Sequence, residues 1–266
     1  MNAFAALVNG VTDPYERKAR LFPGLLVISP LLILLCCAVG PKYPLLTSVI
    51  AAASTFGFPF AIAVQARLAG KRLEEELLVE WGGWPSTIVL RHRDSRYDKY
   101  TKLHYHQELS RRFDIALPSD VEERADPADA DQRYTAVSTR LRLSLRGGKH
   151  PHLLRENIAY GFYRNALALK VPGLCVSVVS LLSGAMIAGA LAVDQPYFVK
   201  DHLLHPGYPI AISMGFSLVM VAFWSRLTGS HVKRVSFAYA DRLYECLDDS
   251  ANTAQRPETA QGQGAL

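Results

Sequence analysis

The chain has 266 residues, of which 50% are hydrophobic and 20% are charged, and its formal net charge is +5 at pH 7. Acidic and basic residues are mixed along the polar part of the chain, which indicates a solvated surface and excludes a continuous polyanion-binding stripe. We therefore expect no nucleic-acid partner. The apolar residues are concentrated in separate runs, and this uneven distribution predicts the class of protein better than the average does.

Four apolar runs approach the roughly 20 residues that a helix needs to cross a bilayer. They cover residues 21–40, 44–66, 171–193 and 208–228. The inner part of each run contains no Asp, Glu, Lys or Arg, whereas a soluble helix of this length usually has a polar face. The sequence therefore predicts four transmembrane helices and the lipid bilayer as a partner.

Basic residues flank these runs mainly on one side, and this asymmetry predicts an orientation. The predicted inner side has Arg17, Lys18, Arg20, Arg67, Lys71, Arg72, Arg155, Arg164, Lys170, Arg226, Lys233 and Arg234. The opposite side offers only Lys42 and Lys200. Because cytoplasmic loops of membrane proteins carry an excess of Lys and Arg, we expect both termini and the central segment to be cytoplasmic.

These features predict a mainly α-helical integral membrane protein in which two transmembrane helical hairpins flank a mostly helical cytosolic domain. A cytosolic or interfacial N-terminus (1–20) precedes the first hairpin (21–66), and the cytosolic domain (67–170) precedes the second hairpin (171–228). A cytosolic amphipathic helix (229–249) and a disordered tail (250–266) follow. The apolar face predicted for the amphipathic helix consists of Val235, Tyr239, Leu243 and Cys246.

Local patterns predict where several helices of the cytosolic domain begin and end. The second span should continue beyond the bilayer as a helix that ends near Trp81. Ser119 and Glu122 form a capping-box pattern, and Asp126 precedes Pro127 in the manner of a helix cap. The segment 87–90 is rich in β-branched residues and predicts either a short strand or an extended loop.

Two groups of residues form the candidate interaction surface. Trp81 and Trp84 bracket two glycines, which predicts either a packing corner or a contact with a partner or lipid. The second group stands just before the third span and consists of Arg155, Glu156, Asn157, Tyr160 and Arg164. It predicts either an interfacial belt in which Arg164 reaches the headgroups or a recognition surface at the membrane face.

No catalytic or cofactor motif stands out in the chain. His104 and His106 are two positions apart, so on a helix they point in different directions, which disfavours a shared metal ion. The four cysteines lack metal-ligand spacing, and we find no phosphate loop, dinucleotide fingerprint or nucleophile elbow. We therefore predict no catalytic residue, no cofactor and no metal ligand.

Three stretches carry a resemblance to a known group of proteins. They are residues 15–23 (YERKARLFP), 82–87 (GGWPST) and 156–165 (ENIAYGFYRN). The chain resembles uncharacterised bacterial inner-membrane proteins with four spans, which implies a location in the bacterial inner membrane but no particular activity. Its layout is also similar to that of membrane effectors of bacterial antiviral signalling systems.

Three functions fit this architecture. The first is a non-enzymatic inner-membrane protein whose cytosolic domain binds a partner and whose spans form a homo-oligomer. The spacing of Ser180, Gly184 and Ala188 favours tight helix contacts, either within the chain or between copies. The second is an effector that permeabilises the membrane in response to a partner or a nucleotide signal. The third is an interfacial membrane enzyme that uses the polar cluster around Glu156.

Overall fold

The computed structural model describes residues 13–39, 58–147 and 150–255, and these are almost entirely helical. Their helices are α1 (Phe22–Val39), α2 (Phe58–Trp81), α3 (Pro85–Ile88), α4 (Lys99–Phe113), α5 (Asp120–Ala125), α6 (Pro127–Ser144), α7 (Pro151–Ala168), α8 (Lys170–Ile187), α9 (Lys200–Leu204), α10 (Tyr208–Arg226) and α11 (Gly229–Gln255). A π-helical stretch, Glu16–Leu21, leads into α1. Within this described part there is no strand, and the mainly α class is confirmed.

Three described helical segments are long and apolar enough to cross a membrane. They are Glu16–Ala38, Lys170–Ile187 and Tyr208–Arg226. Most of the predicted second span, 44–66, lies outside the described residues. Its last part, from Phe58, belongs to α2. The third predicted span ends earlier than residue 193, because Gly189 adopts a positive φ of 78° and turns the chain into a loop.

The chain forms two compact units. The first consists of Met1–Glu74 and Gly161–Val232, and the second of Glu75–Tyr160 and Lys233–Leu266. We call them the span unit and the helical unit. Helices α2, α7 and α11 each begin in one unit and end in the other.

In the span unit, α1, α8 and α10 pack against one another. Their contacts use the small residues of α8: Gly173 lies against the indole of Trp224, and a Cβ atom at Gly184 would lie 2.8 Å from Met214. The small-residue face of α8 therefore packs within the chain, where small side chains allow helices to approach closely. The side chains that α8 exposes are larger.

Prolines in α1 remove backbone donors, and nearby side chains replace them. Pro30 cannot donate to the carbonyl of Leu26, and the Ser29 hydroxyl donates to that carbonyl at 3.0 Å. The carbonyl of Pro30 in turn accepts a hydrogen bond of 2.9 Å from Ser180 on α8. Both carbonyl groups therefore have a hydrogen-bond donor.

The helical unit has its own apolar core. Its fully buried side chains include Val89, Leu90, Leu109, Tyr134, Val137, Leu141, Leu243 and Tyr244. Helix α11 closes this core with an apolar face that also includes Phe237 and Leu247. Of the predicted face, Leu243 and Cys246 are buried, Tyr239 packs at the edge of the core, and Val235 is half-buried. The helix continues to Gln255, so residues 250–255 of the predicted disordered tail are helical, because nothing in them breaks a helix. The rest of the predicted tail, 256–266, lies outside the described residues.

Helix caps in the helical unit follow the local sequence. The Ser119–Glu122 capping box is confirmed, and the Asp126 side chain accepts hydrogen bonds at the start of α6, where Pro127 is the first residue. The strand considered for 87–90 is wrong: Trp84 is extended, Pro85 starts the single turn α3, and the following residues are buried in the core. Proline at the first helical position favours this turn over a strand.

A buried lysine holds the loop between α3 and α4. Lys102 is only 5% exposed. Its ammonium group donates to the carbonyl oxygens of Arg91 at 2.9 Å, His92 at 3.4 Å and Asp94 at 2.5 Å. Three backbone acceptors in one place explain why a charged side chain is stable on the buried face of α4.

Replacing this lysine should loosen the loop. We expect Lys102→Met to lower the free energy of unfolding of the helical unit by about 2–4 kcal/mol, because it leaves buried carbonyl groups without a donor. Urea unfolding of the full chain in mild detergent measures this loss. Lys99→Met, at an exposed position of the same helix, is the control and should change stability by less than about 0.5 kcal/mol. Equal losses in the two variants would contradict the structural role of Lys102.

Candidate functional site: a buried polar cluster in the span unit

The predicted tryptophan corner lies in the helical unit. Trp81 ends α2 and packs at the edge of the apolar core, and Trp84 is the residue before α3. Both are half-buried. The guanidinium of Arg142 lies over the Trp84 ring at 5.9 Å, and that of Arg91 donates to the carbonyl of Gly82 at 2.7 Å. The corner therefore packs against its own unit, and a partner contact there stays a prediction.

The residues of the second predicted group do not form one polar surface. Arg155 is 70% exposed and Glu156 is 19% exposed, and their charged groups lie 3.5 Å apart. Asn157 and Tyr160 are half-buried. Arg164, the last member of the group, is buried with only 3% of its surface exposed. Arg155 is therefore exposed to solvent, whereas Arg164 is buried.

Arg164 pairs with an acidic residue from a distant part of the chain. Its Nη1 lies 2.5 Å from Oε1 of Glu74, which is itself 4% exposed, and Glu74 also pairs with Lys71. The prediction that Arg164 reaches the lipid headgroups is therefore wrong, because the guanidinium turns inward to this carboxylate. A buried charge requires such pairing, since desolvation of an isolated ion is very costly.

Asn165 joins the pair to the beginning of the first span. Its side-chain oxygen accepts hydrogen bonds of 3.2 Å from the Arg164 guanidinium, and its Nδ2 donates to the carbonyl oxygen of Ala19 at 2.6 Å. The α-helical partner of that carbonyl would be residue 23, which is a proline and has no N–H. Asn165 therefore supplies a side-chain donor to a carbonyl group whose i+4 backbone donor is absent.

Two glycines allow the helices to approach one another around these polar groups. A Cβ atom at Gly70 would overlap the Asn165 side chain, and one at Gly161 would lie 2.8 Å from the Cβ atom of Ala19. Any larger residue would push α2 or α7 away from the cluster. The sequence signal for this close approach is the glycine itself, which is otherwise unfavourable inside a helix.

The cytoplasmic ends predicted for the third and fourth spans contact each other. The ammonium of Lys170, at the start of α8, donates to the carbonyl oxygens of Leu227 at 2.8 Å and Ser225 at 3.3 Å, at the end of α10. This contact satisfies carbonyl groups that the last turn of a helix leaves without donors. It also fixes α8 and α10 as an antiparallel pair.

The cluster of Glu74, Arg164, Asn165 and the Ala19 carbonyl, which we call the junction cluster, therefore joins three segments. They are the start of the first span, the chain that follows the predicted second span, and the chain that precedes the third. Each is an end that the sequence predicts to lie on the cytoplasmic side. The charges of Glu74 and Arg164 are matched within the chain, so the cluster can fix helix positions.

A second polar network lies in the helical unit. Glu123 is 2% exposed and accepts hydrogen bonds from the backbone N–H of His92 at 2.7 Å, the Arg93 guanidinium at 2.8 Å and the Tyr134 hydroxyl at 2.7 Å. Burial raises the pKa of this carboxyl, but the donors outweigh it, so that the pKa lies below its ordinary value. Asp131 accepts from both Arg91 and Arg93 and completes the network.

The histidines of this region also have structural partners. The Nε2 atom of His106 donates to the carbonyl oxygen of Leu90 at 2.8 Å, and the side chain is 7% exposed. The ring of His92 lies 4.9 Å away and bonds to the Pro118 carbonyl. Burial lowers the pKa of His106 to about 4. Among the described residues, no three His, Cys, Asp or Glu side chains are grouped to hold a metal ion.

This histidine makes the stability of the helical unit depend on pH. Folded His106 stays neutral down to about pH 4, whereas the unfolded side chain takes up a proton near its ordinary pKa of 6.5. The contribution of His106 to the free energy of unfolding is thus fully present above pH 6.5 and decreases as the pH falls towards 4. We expect a loss of about 2 kcal/mol between pH 7.5 and pH 5, measured by urea unfolding of the full chain.

Two variants separate His106 from the other titrating groups. His106→Gln should remove most of this pH dependence, and His104→Gln, at an exposed position of the same helix, should retain it. The measured range, from pH 7.5 to pH 5, lies above 4.5, the ordinary pKa of Glu123. Protonation of Glu123 would also lower the stability as the pH falls, so the measurement stops before that pH. A full pH-dependent loss in His106→Gln would contradict this assignment.

The comparisons with known proteins give no relative for this cluster. Searches against protein-family models, curated proteins and solved structures found no match. Residue roles therefore rest on geometry alone. Sequence reasoning missed Glu74, Asn165 and Lys102, since a charged or polar side chain on a helix is usually solvated; Gly70 and Gly161 were the available signals of close packing.

Proposed function

We propose that this chain is a non-enzymatic bacterial inner-membrane protein whose cytosolic domain binds a partner and whose spans self-associate. Four spans in two hairpins would anchor it. The observation that carries this proposal is the junction cluster, because it fixes three of the predicted inner span ends to one another, and the Lys170 contact fixes the fourth to the third. A polar cluster of this kind belongs at a membrane face and not at the centre of a bilayer.

The distribution of basic residues supports a cytoplasmic position for this cluster. Lys71 pairs with Glu74 in the cluster itself, and Arg17, Lys18 and Arg67 are near it in sequence. By the positive-inside rule these residues stay in the cytoplasm. The helical unit and both termini would then be cytoplasmic, and the loops after α1 and α8 would face the opposite side.

The partner-binding role is supported by the exposed surface of the helical unit. A shallow groove of about 580 Å³ follows the outer face of α6 and is lined by Asp131, Gln132, Thr135, Ala136, Thr139 and Arg140. Its mixture of charged, hydroxyl and apolar groups suits a protein surface better than a small apolar ligand. The exposed Arg155 at the start of α7 is a second candidate contact.

Self-association would use the outward faces of the spans. The small residues of α8 already pack within the chain, so an oligomer contact needs other side chains. Helix α8 exposes Val179 and Leu182, and α10 exposes Ile212 and Val219, each by about half or more. These apolar faces suit either lipid or a second copy, and association between copies would compete with lipid for them.

Co-purification from the native host in mild detergent tests the proposal. Mass spectrometry of the purified complex should find a protein partner in stoichiometric amount together with more than one copy of this chain. Arg155→Ala should reduce the amount of bound partner, whereas Arg111→Ala, at an equally exposed position on α4 (73% exposed), should retain it. A homo-oligomer without any protein partner would contradict the proposal.

One observation favours the effector as a second candidate. Ser177, Ser180, Ser213 and Ser217 are completely buried where the spans pack. Ser217 donates to Ser180 at 3.2 Å or to the carbonyl of Ser213, while the Ser213 hydroxyl has no partner among the described residues. A row of hydroxyl groups could line a water path if the spans rearranged. Conductance of the purified oligomer in liposomes, with and without nucleotides, would support this alternative.

A further inference from the structure

The loop between α8 and α10, residues 188–207, is short and held between two candidate spans. Residue 188 follows the end of one apolar helix, and residue 207 precedes the start of the next. If the two helices cross a bilayer, the loop lies at its surface on the side opposite the junction cluster. The role of this loop therefore rests on the proposed membrane arrangement.

The loop is folded back on itself. Leu191 and Phe198 form an antiparallel bridge, the N–H of Ala192 donates to the carbonyl of Tyr197 at 3.1 Å, and the N–H of Val199 donates to that of Ala190 at 2.9 Å. The His202 ring donates to the carbonyl of Gly189 at 3.0 Å, which fixes α9 to the end of α8. These contacts give the loop a defined surface.

Much of that surface is apolar. Tyr197 is 60% exposed, Phe198 is 54% exposed and Leu204 is 61% exposed. Val193 and Tyr208, at 79% and 90%, extend the exposed apolar surface on either side. Several large apolar side chains this close together in a short loop indicate a surface that contacts something other than water.

The connectivity of the loop indicates what it contacts. Leu191 follows Ile187 closely, so even an extended chain keeps it within roughly 14 Å of the end of α8. Phe198 is bridged to Leu191 and stays equally near. Apolar groups of interfacial segments lie about 5–10 Å deep at the headgroup boundary, and tyrosine is enriched there because its hydroxyl stays hydrated. The neighbouring bilayer is thus within reach.

We propose that loop 188–207 is a membrane-inserted hairpin whose Tyr197, Phe198 and Leu204 side chains enter the headgroup region of the non-cytoplasmic leaflet. The partner of this surface is the lipid bilayer itself. Asp194, Lys200 and Asp201 would remain in the aqueous phase above it. The hairpin would fix the depth of the second pair of spans, independently of any partner that the helical unit binds.

Spin-label accessibility in vesicles of phosphatidylethanolamine and phosphatidylglycerol tests this proposal. The full chain, with its four cysteines replaced by alanine, would receive single cysteines by Phe198→Cys, Leu204→Cys or Asp194→Cys. We expect the labels at 198 and 204 to collide preferentially with oxygen, which partitions into lipid, and the label at 194 to collide preferentially with a water-soluble nickel chelate. Phe198→Cys removes an aromatic ring from the loop, whereas Leu204→Cys retains it. The label at 204 therefore tests whether the result at 198 depends on the loss of that ring.

Two outcomes would overturn the proposal. Equal nickel accessibility at 194, 198 and 204 would show a loop in water, and spin–spin broadening at 198 that disappears on dilution with unlabelled chain would show a contact between copies. A label introduced by Val179→Cys, on the exposed face of α8, tests the spans separately. Nickel accessibility at 179 as well would contradict the membrane arrangement itself, which distinguishes that failure from failure of the hairpin.

Discussion

Glu74→Gln is expected to destabilise the span unit by about 3–5 kcal/mol, because it leaves the Arg164 guanidinium buried without its carboxylate. Arg164 and Glu74 are 3% and 4% exposed, so water cannot replace the lost partner. Thermal unfolding of the full chain in mild detergent, followed by circular dichroism and by the loss of monodisperse protein, measures the effect. We expect a clear fall in Tm and a poor yield.

Two further variants make this expectation specific. Glu76→Gln, at an exposed position of the same helix, removes the same charge and should leave the Tm almost unchanged. The double variant Glu74→Gln with Arg164→Met should recover part of the loss, because no buried charge then lacks a partner. If Glu74→Gln behaves like Glu76→Gln, the junction cluster does not hold the span ends together.

Glu123→Gln should have an effect of similar size in the helical unit. The substitution keeps the shape of the side chain but replaces an acceptor oxygen by an NH2 group. Donors from His92, Arg93 and Tyr134 converge on this carboxylate at 2.7–2.8 Å, and an amide cannot accept from all of them. We expect a loss of about 2–4 kcal/mol, since either the neutral donors of His92 and Tyr134 or the Arg93 guanidinium is left without an acceptor.

Hydrogen exchange read by mass spectrometry locates this effect. In Glu123→Gln, exchange should increase in the peptides that cover 88–98 and α5, while α8 and α10 exchange as before. Glu80→Gln, which removes an exposed charge from the same unit, should change neither region. Unaltered exchange at 88–98 in Glu123→Gln would contradict the role given to this network.

The sequence predicts some of these features directly. Span composition, the end of α2 at Trp81 and the caps at Ser119 and Asp126 depend on neighbours within a few residues, and the structure agrees with each of them. The presence of helices long and apolar enough to cross a membrane follows from length and composition in the same way. Such local signals do not require knowledge of which segments meet.

The features that sequence reasoning missed depend on residues far apart in the chain. Arg164 precedes an apolar run, which favours an interfacial position, and only the approach of Glu74 from α2 turns it inward. Lys102 interrupts no apolar pattern, yet three carbonyl groups of the preceding loop surround its ammonium group. Pairings of this kind are set by the tertiary fold, and no regular spacing of residues in the sequence predicts them.

In the proposed function, the spans anchor the helical unit on the cytoplasmic side of a membrane. Labelling with a membrane-impermeant maleimide tests it most directly, using Ser95→Cys in the helical unit and Asp194→Cys in loop 188–207, both exposed, on a cysteine-free background. We predict that Ser95→Cys reacts only in inside-out vesicles and Asp194→Cys only in right-side-out vesicles. Reaction of both from the same side, or release of the chain from membranes by alkaline carbonate, would contradict this membrane arrangement.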